Sequence, residues 1–195
     1  MAYSATTGFR LRKNLYGITT QETHRFIIGN SATIKIGDAV RLNTSGFLVR
    51  SAAGEPVLGI VAGITDRNGL NLFTPQAQGT VGSTLTPDDQ VAVSSTNQSD
   101  GTRSLKADVV LDPAGVNLYY NDASSTLAQT NVGQLFDVAS GSSQIDQGTA
   151  SDTAGQFQLL EIDPDGDGDA SKGLFRIMEN QLPSELGNST AVVTA

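Results

Sequence analysis

Between residues 33 and 64 the chain reads TIKIGDAVRLNTSGFLVRSAAGEPVLGIVAGI, and few folds can accommodate such a stretch. Residues 33–36 and 39–42 each alternate apolar with polar side chains, the period of a half-buried β-strand. Asn43, Thr44, Ser45 and Gly46 form a turn. Glycine reaches positive φ at little cost, and the Asn and Ser side chains bond to bent backbone. Residues 47–50 leave that turn as a third strand, 51–56 interrupt it, and 57–64 form a longer apolar run. Four short strands in so few residues describe a β unit, and the rest of the chain reads as its extension.

Composition agrees. Only 16% of residues are charged and 38% are apolar, with abundant Gly, Ser, Thr, Asn and Asp. No window sustains the i, i+3, i+4, i+7 apolar spacing of a helix for more than about two turns. The fold class expected is all-β, with β-barrel or β-sandwich modules, long loops and an extended N-terminal arm. At 195 residues the chain can bury one sizeable core or two small ones. It has no cysteine, which excludes disulfides, thiolate metal sites and cysteine nucleophiles. No apolar run reaches the roughly 18 residues of a membrane span, and the first residues lack the apolar core of a signal peptide. Synthesis in the cytoplasm, with no address to another compartment, is expected.

Charge divides the chain. Through Arg67 there are eight Lys or Arg against four acids; beyond it, four against sixteen, within an overall charge of −8. The acidic remainder would repel phosphates, so direct nucleic-acid binding is not expected. The basic part suits an acidic protein surface, or it is simply a solvated face. Residues 1–25 read as a docking arm. Tyr3, Phe9, Leu11 and Tyr16 supply apolar anchors, while Arg10, Arg12 and Lys13 supply cations that reach carboxylates. The alternative is a strand that completes the protein's own sheet. Removing residues 2–20 is expected to leave a folded protein. His24, the single histidine, reads as an ordinary strand-edge side chain.

Along the chain, residues 26–74 form a first β module and 75–104 a loop-rich junction holding one short strand at 90–93. Residues 105–182 form a second β module and 183–195 a tail. Strands are expected at 70–74, 107–111, 116–120, 132–138, 156–162 and 174–178, with a loop over 139–154. The last two strands face each other across an acidic connection. There, Asp163, Asp165 and Asp167, with Gly168 at the sixth position, match the first half of a calcium loop. The match ends at the twelfth position, where Leu174 stands in place of a bidentate Glu. Calcium is thus a candidate ligand of Asp163, Asp165 and Asp167, the other reading being a turn shaped by Asp and Gly. No cofactor is otherwise expected, and no metal site is assigned.

Catalytic patterns are not found. There is one histidine, no G-x-S-x-G elbow, no P-loop and no G-x-G-x-x-G motif. Carboxylates are plentiful in the last third, but there is no Trp to serve as a sugar platform. A non-enzymatic role is expected.

Several segments carry a resemblance: residues 36–40 (IGDAV), 46–49 (GFLV), 57–64 (VLGIVAGI), 134–138 (QLFDV), 158–164 (QLLEIDP) and 173–177 (GLFRI). Together they resemble the capsid decoration, or cement, proteins of tailed bacteriophages. The resemblance implies an all-β structural protein of the virion that sits on the outside of an icosahedral head, without catalysis and without a membrane. It further implies a homotrimer whose partner is the major capsid protein, neighbouring copies of which it clamps together. A second class remains open at this stage, a carbohydrate- or host-surface-binding β module of fibre or lectin type.

Overall fold

The computed structural model describes residues 8–15, 23–29, 32–65, 91–92, 105–139, 143–166, 168–179 and 181. Among these residues thirteen strands are formed: β1 (Arg10–Asn14), β2 (Thr23–Ile27), β3 (Thr33–Ile34), β4 (Ala39–Leu42), β5 (Leu48–Arg50), β6 (Gly59–Thr65), β7 (Val91–Ala92), β8 (Lys106–Leu111), β9 (Asn117–Asp122), β10 (Leu135–Val138), β11 (Ile145–Ser151), β12 (Phe157–Ile162) and β13 (Lys172–Ile177). No α-helix occurs among the described residues; one 3₁₀ turn spans Gln129–Asn131. The protein is all-β, built on two antiparallel sheets that do not close into barrels.

The chain forms two units, and neither is contiguous. One comprises residues 21–50 and 59–111; the other comprises 1–20, 51–58 and 112–195. The expected division at 75–104 is therefore corrected. β6, buried at six of its seven positions, needs a neighbour on each edge. It finds them in β4 and in β8, which a linear division would give to the second module. The expected strand at 70–74 lies outside the described residues. Of the junction, only β7 is described, paired with β3.

The first unit holds a five-stranded sheet in the order β2-β8-β6-β4-β5. Ile28, Ile34, Val40, Leu48, Val61, Ile64 and Val109 are among its most buried side chains. Asp38 is fully buried and is held by Arg50, whose Nε and Nη2 donate to it at 3.0–3.1 Å. Asp38 also accepts the Lys35 amide at 2.9 Å.

The second unit holds a six-stranded sheet in the order β1-β9-β13-β12-β10-β11. Tyr119, Phe136, Phe157, Leu159 and Phe175 fill its interior. β11 lies where a loop was expected. Its IDQGTAS sequence lacks apolar alternation, and only Ile145 is buried.

Without β1, this sheet repeats the other. Taken in chain order, β2, β4, β5, β6 and β8 correspond to β9, β10, β11, β12 and β13. Both sets lie first-fifth-fourth-second-third across the sheet. The register agrees in detail. A bulge falls between Val61 and Gly63 in one unit and between Leu159 and Glu161 in the other. A single parallel bridge joins the outer strands in each, Ile28 to Leu48 and Ala123 to Ile145. The Gly37 amide donates to the Val61 carbonyl as the Gly133 amide does to Leu159, both at 2.8 Å. These two glycines have φ of 87° and 92°, a region other residues enter at a cost.

Candidate docking surface

Of the residues expected to dock, Phe9, Arg10, Leu11, Arg12 and Lys13 are described, and they lie on β1 or just before it. β1 pairs antiparallel with β9, placing Arg10 opposite Tyr120 and Leu11 opposite Tyr119. The residues of the arm therefore include a strand of the protein's own sheet. Phe9 is a core residue, 3% exposed. Its ring stacks on Phe157 at 4.2 Å and meets Tyr119 edge-on at 6.2 Å. Phe9 is thus corrected from docking anchor to packing residue, because three aromatic rings exclude water better together than one could on a transient partner. Removing residues 2–20 would also take Phe9 out of this core, so the deletion is expected to destabilise the six-stranded unit.

What remains outward is cationic. Arg10, Arg12 and Lys13 are exposed, and Leu11 is half-buried. A bulge between Leu11 and Lys13 inserts Arg12 as an extra residue, so Arg12 and Lys13 both face solvent instead of alternating. Leu15 follows, 51% exposed, its amide bonded to the Val116 carbonyl at 2.9 Å. β1 is the terminal strand of its sheet, and charged side chains on such a strand oppose indiscriminate edge pairing. Tyr3 and Tyr16 lie outside the described residues.

The acidic connection between β12 and β13 belongs to the same unit. The Arg12 guanidinium donates to Asp165 at 2.9 Å, with both side chains largely in solvent. Such a pair contributes little to stability and exchanges readily for another partner. Tyr120, opposite Arg10, has its hydroxyl pKa pushed up, chiefly by burial, with Lys172 opposing the shift. Neither Asp165 nor Tyr120 is identifiable as a neighbour of β1 from the sequence. Only the β1–β9–β13 pairing brings them there.

Asp163 and Asp169 of this connection are engaged in shaping its turns. Asp163 has φ of 48°, and its side chain accepts the Gly168 amide at 2.8 Å. Asp169 accepts the Ser171 amide and hydroxyl and lies 3.3 Å from the Lys172 ammonium. These hydrogen bonds from Ser171, with Lys172, hold the Asp169 carboxyl below its usual pKa. Asp165 faces Arg12, and Asp167 lies outside the described residues. Among the described residues no three His, Cys, Asp or Glu side chains gather as a metal site. His24 lies on β2 and is exposed.

No helix among the described residues is long and apolar enough to cross a membrane. Comparison with protein-family models, with curated proteins and with solved structures found no match.

Proposed function

We propose that the chain is a structural, non-enzymatic virion protein. It binds the outer surface of an icosahedral phage head as a homotrimer and bridges neighbouring major capsid proteins. The observation that carries this reading is the β1 edge, where Arg10, Arg12 and Lys13 stand exposed beside Leu15 on a strand anchored by Phe9. A rigidly backed row of cations loses little conformational freedom on meeting a carboxylate-bearing surface. Each contact is weak, but symmetry repeats it, and avidity across a shell makes the sum strong. The sequence resemblance to decoration proteins supports the same reading, and neither calcium nor another cofactor enters it.

The test is the triple variant R10E/R12E/K13E. All three side chains are exposed, so the fold should persist, which circular dichroism verifies. Co-sedimentation with empty phage shells should show binding weakened at least about tenfold, with a corresponding loss of salt sensitivity. Unchanged shell binding by the folded variant contradicts the reading.

A further inference from the structure

One cation of the β1 edge is already engaged within the chain. Arg12, the residue that the bulge inserts outward, donates through Nη2 to Asp165 at 2.9 Å. The two lie 153 positions apart and come together through the β1-β9-β13 order of the sheet. Both remain open to solvent, with 55% of the Arg12 side chain and 40% of the Asp165 side chain exposed.

Asp165 is held in place by its own connection. The Asp163 amide donates to the Lys172 carbonyl at 2.8 Å, and the Gly166 amide donates to the Asp163 carbonyl at 2.9 Å. The Asp163 carboxylate accepts the Gly168 amide, and Asp169 pairs with Lys172. The Tyr120 hydroxyl, its pKa raised mainly by burial, is raised further by Asp122 and Asp165. The Asp165 charge therefore lies near the residue opposite Arg10 as well.

We propose that Asp165 is a built-in competitor at the docking edge, occupying Arg12 until a carboxylate-bearing partner surface displaces it. This inference rests on the reading of β1 as a docking edge and adds its regulation. A carboxylate fixed in the same fold acts at an effective concentration of about millimolar or above, so it opposes every incoming acid. An exposed pair of this kind is worth a factor of about two to five, which weakens docking without preventing it. A surface that carries several acids meets Arg10 and Lys13 together and takes Arg12 in exchange for Asp165.

The experiment compares the full-length protein with D165S, R12Q, R12Q/D165S and D152S, each verified as folded by circular dichroism. Asp152 is exposed beside β11, at the opposite end of the sheet, so D152S removes the same charge away from β1. Binding is measured at low salt, first to immobilised poly-L-glutamate and then to empty phage shells. D165S should bind polyglutamate about two- to fivefold tighter than the parent, and D152S should gain less than about half as much. In the R12Q background, D165S should add nothing beyond the D152S gain, because the competitor then has nothing to occupy. Unchanged or weaker binding by D165S overturns the inference, as does a gain that D152S equals or that survives the loss of Arg12. Shells separate the competitor from the reading beneath it. If D165S tightens on polyglutamate while neither protein binds shells, the phage-head reading fails and the competitor stands. If parent and D165S bind shells equally while R10E/R12E/K13E does not bind, the reading stands and the competitor fails.

Discussion

Replacing Phe9 by Ala tests whether the N-terminal segment is part of the folded unit. The ring is 3% exposed, stacked on Phe157 and edge-on to Tyr119. Truncating such a side chain costs about 3–5 kcal/mol, combining lost burial, lost ring pairing and the cavity left behind. With a urea dependence of about 1.5–2 kcal/mol per molar, the unfolding midpoint should fall by about 2–3 M. Intrinsic fluorescence reads the relevant unit selectively. The chain has no Trp, and no Tyr occurs between residues 21 and 111, whereas Tyr119 and Tyr120 lie on β9. Phe9→Leu keeps most of the apolar volume and should cost about 1–2 kcal/mol. A Phe9→Ala midpoint within about 0.5 M of the parent refutes the reasoning, for it would mean that β1 is detached in solution.

Three other outcomes are expected. Asp112 is 1% exposed, and burial raises its pKa from 3.8 to about 6, against the pull of amides from Val116 and Asn117. A carboxyl that holds its proton more tightly when folded makes the native state more stable at low pH. That contribution should fade as pH rises from about 4 to 6, a loss of up to about 3 kcal/mol. Urea unfolding of Asp112→Asn across this window should lack that slope. Arg50→Met leaves the Asp38 carboxylate buried without its guanidinium and should destabilise the five-stranded unit by about 3–5 kcal/mol, measured by circular dichroism. Gly37→Ala and Gly133→Ala should each cost about 1–2 kcal/mol, since both hold the same left-handed backbone; markedly unequal losses would argue against equivalent turns.

The all-β class and most strands were legible because alternation and turn chemistry are local. Asn43 illustrates this. Its side chain accepts the Ser45 and Phe47 amides, and Gly46 closes the turn with φ of 79°. β11 was not legible, because Ile145 is its single buried residue. The division into units was illegible for a different reason. Strand partners far apart in sequence are chosen by the edges left open, as β8 is by β6, and no local window records that choice.

The shared five-stranded arrangement was equally hidden. Residues 36–42 and 132–138, IGDAVRL and VGQLFDV, occupy equivalent places but have only the glycine in common. Val40 and Phe136 are both fully buried, so each position requires an apolar side chain of a size its own unit sets. The cationic row was visible as composition. That Lys13 turns outward together with Arg12 depends on the bulge, which the alternation rule cannot foresee.

Mass photometry of the purified chain, alone and mixed with empty shells of its cognate phage head, addresses the proposed function most directly. The expected result is a trimer that saturates the shells at a fixed ratio and raises their melting temperature. A chain that stays monomeric and leaves shell mass and melting unchanged would contradict it.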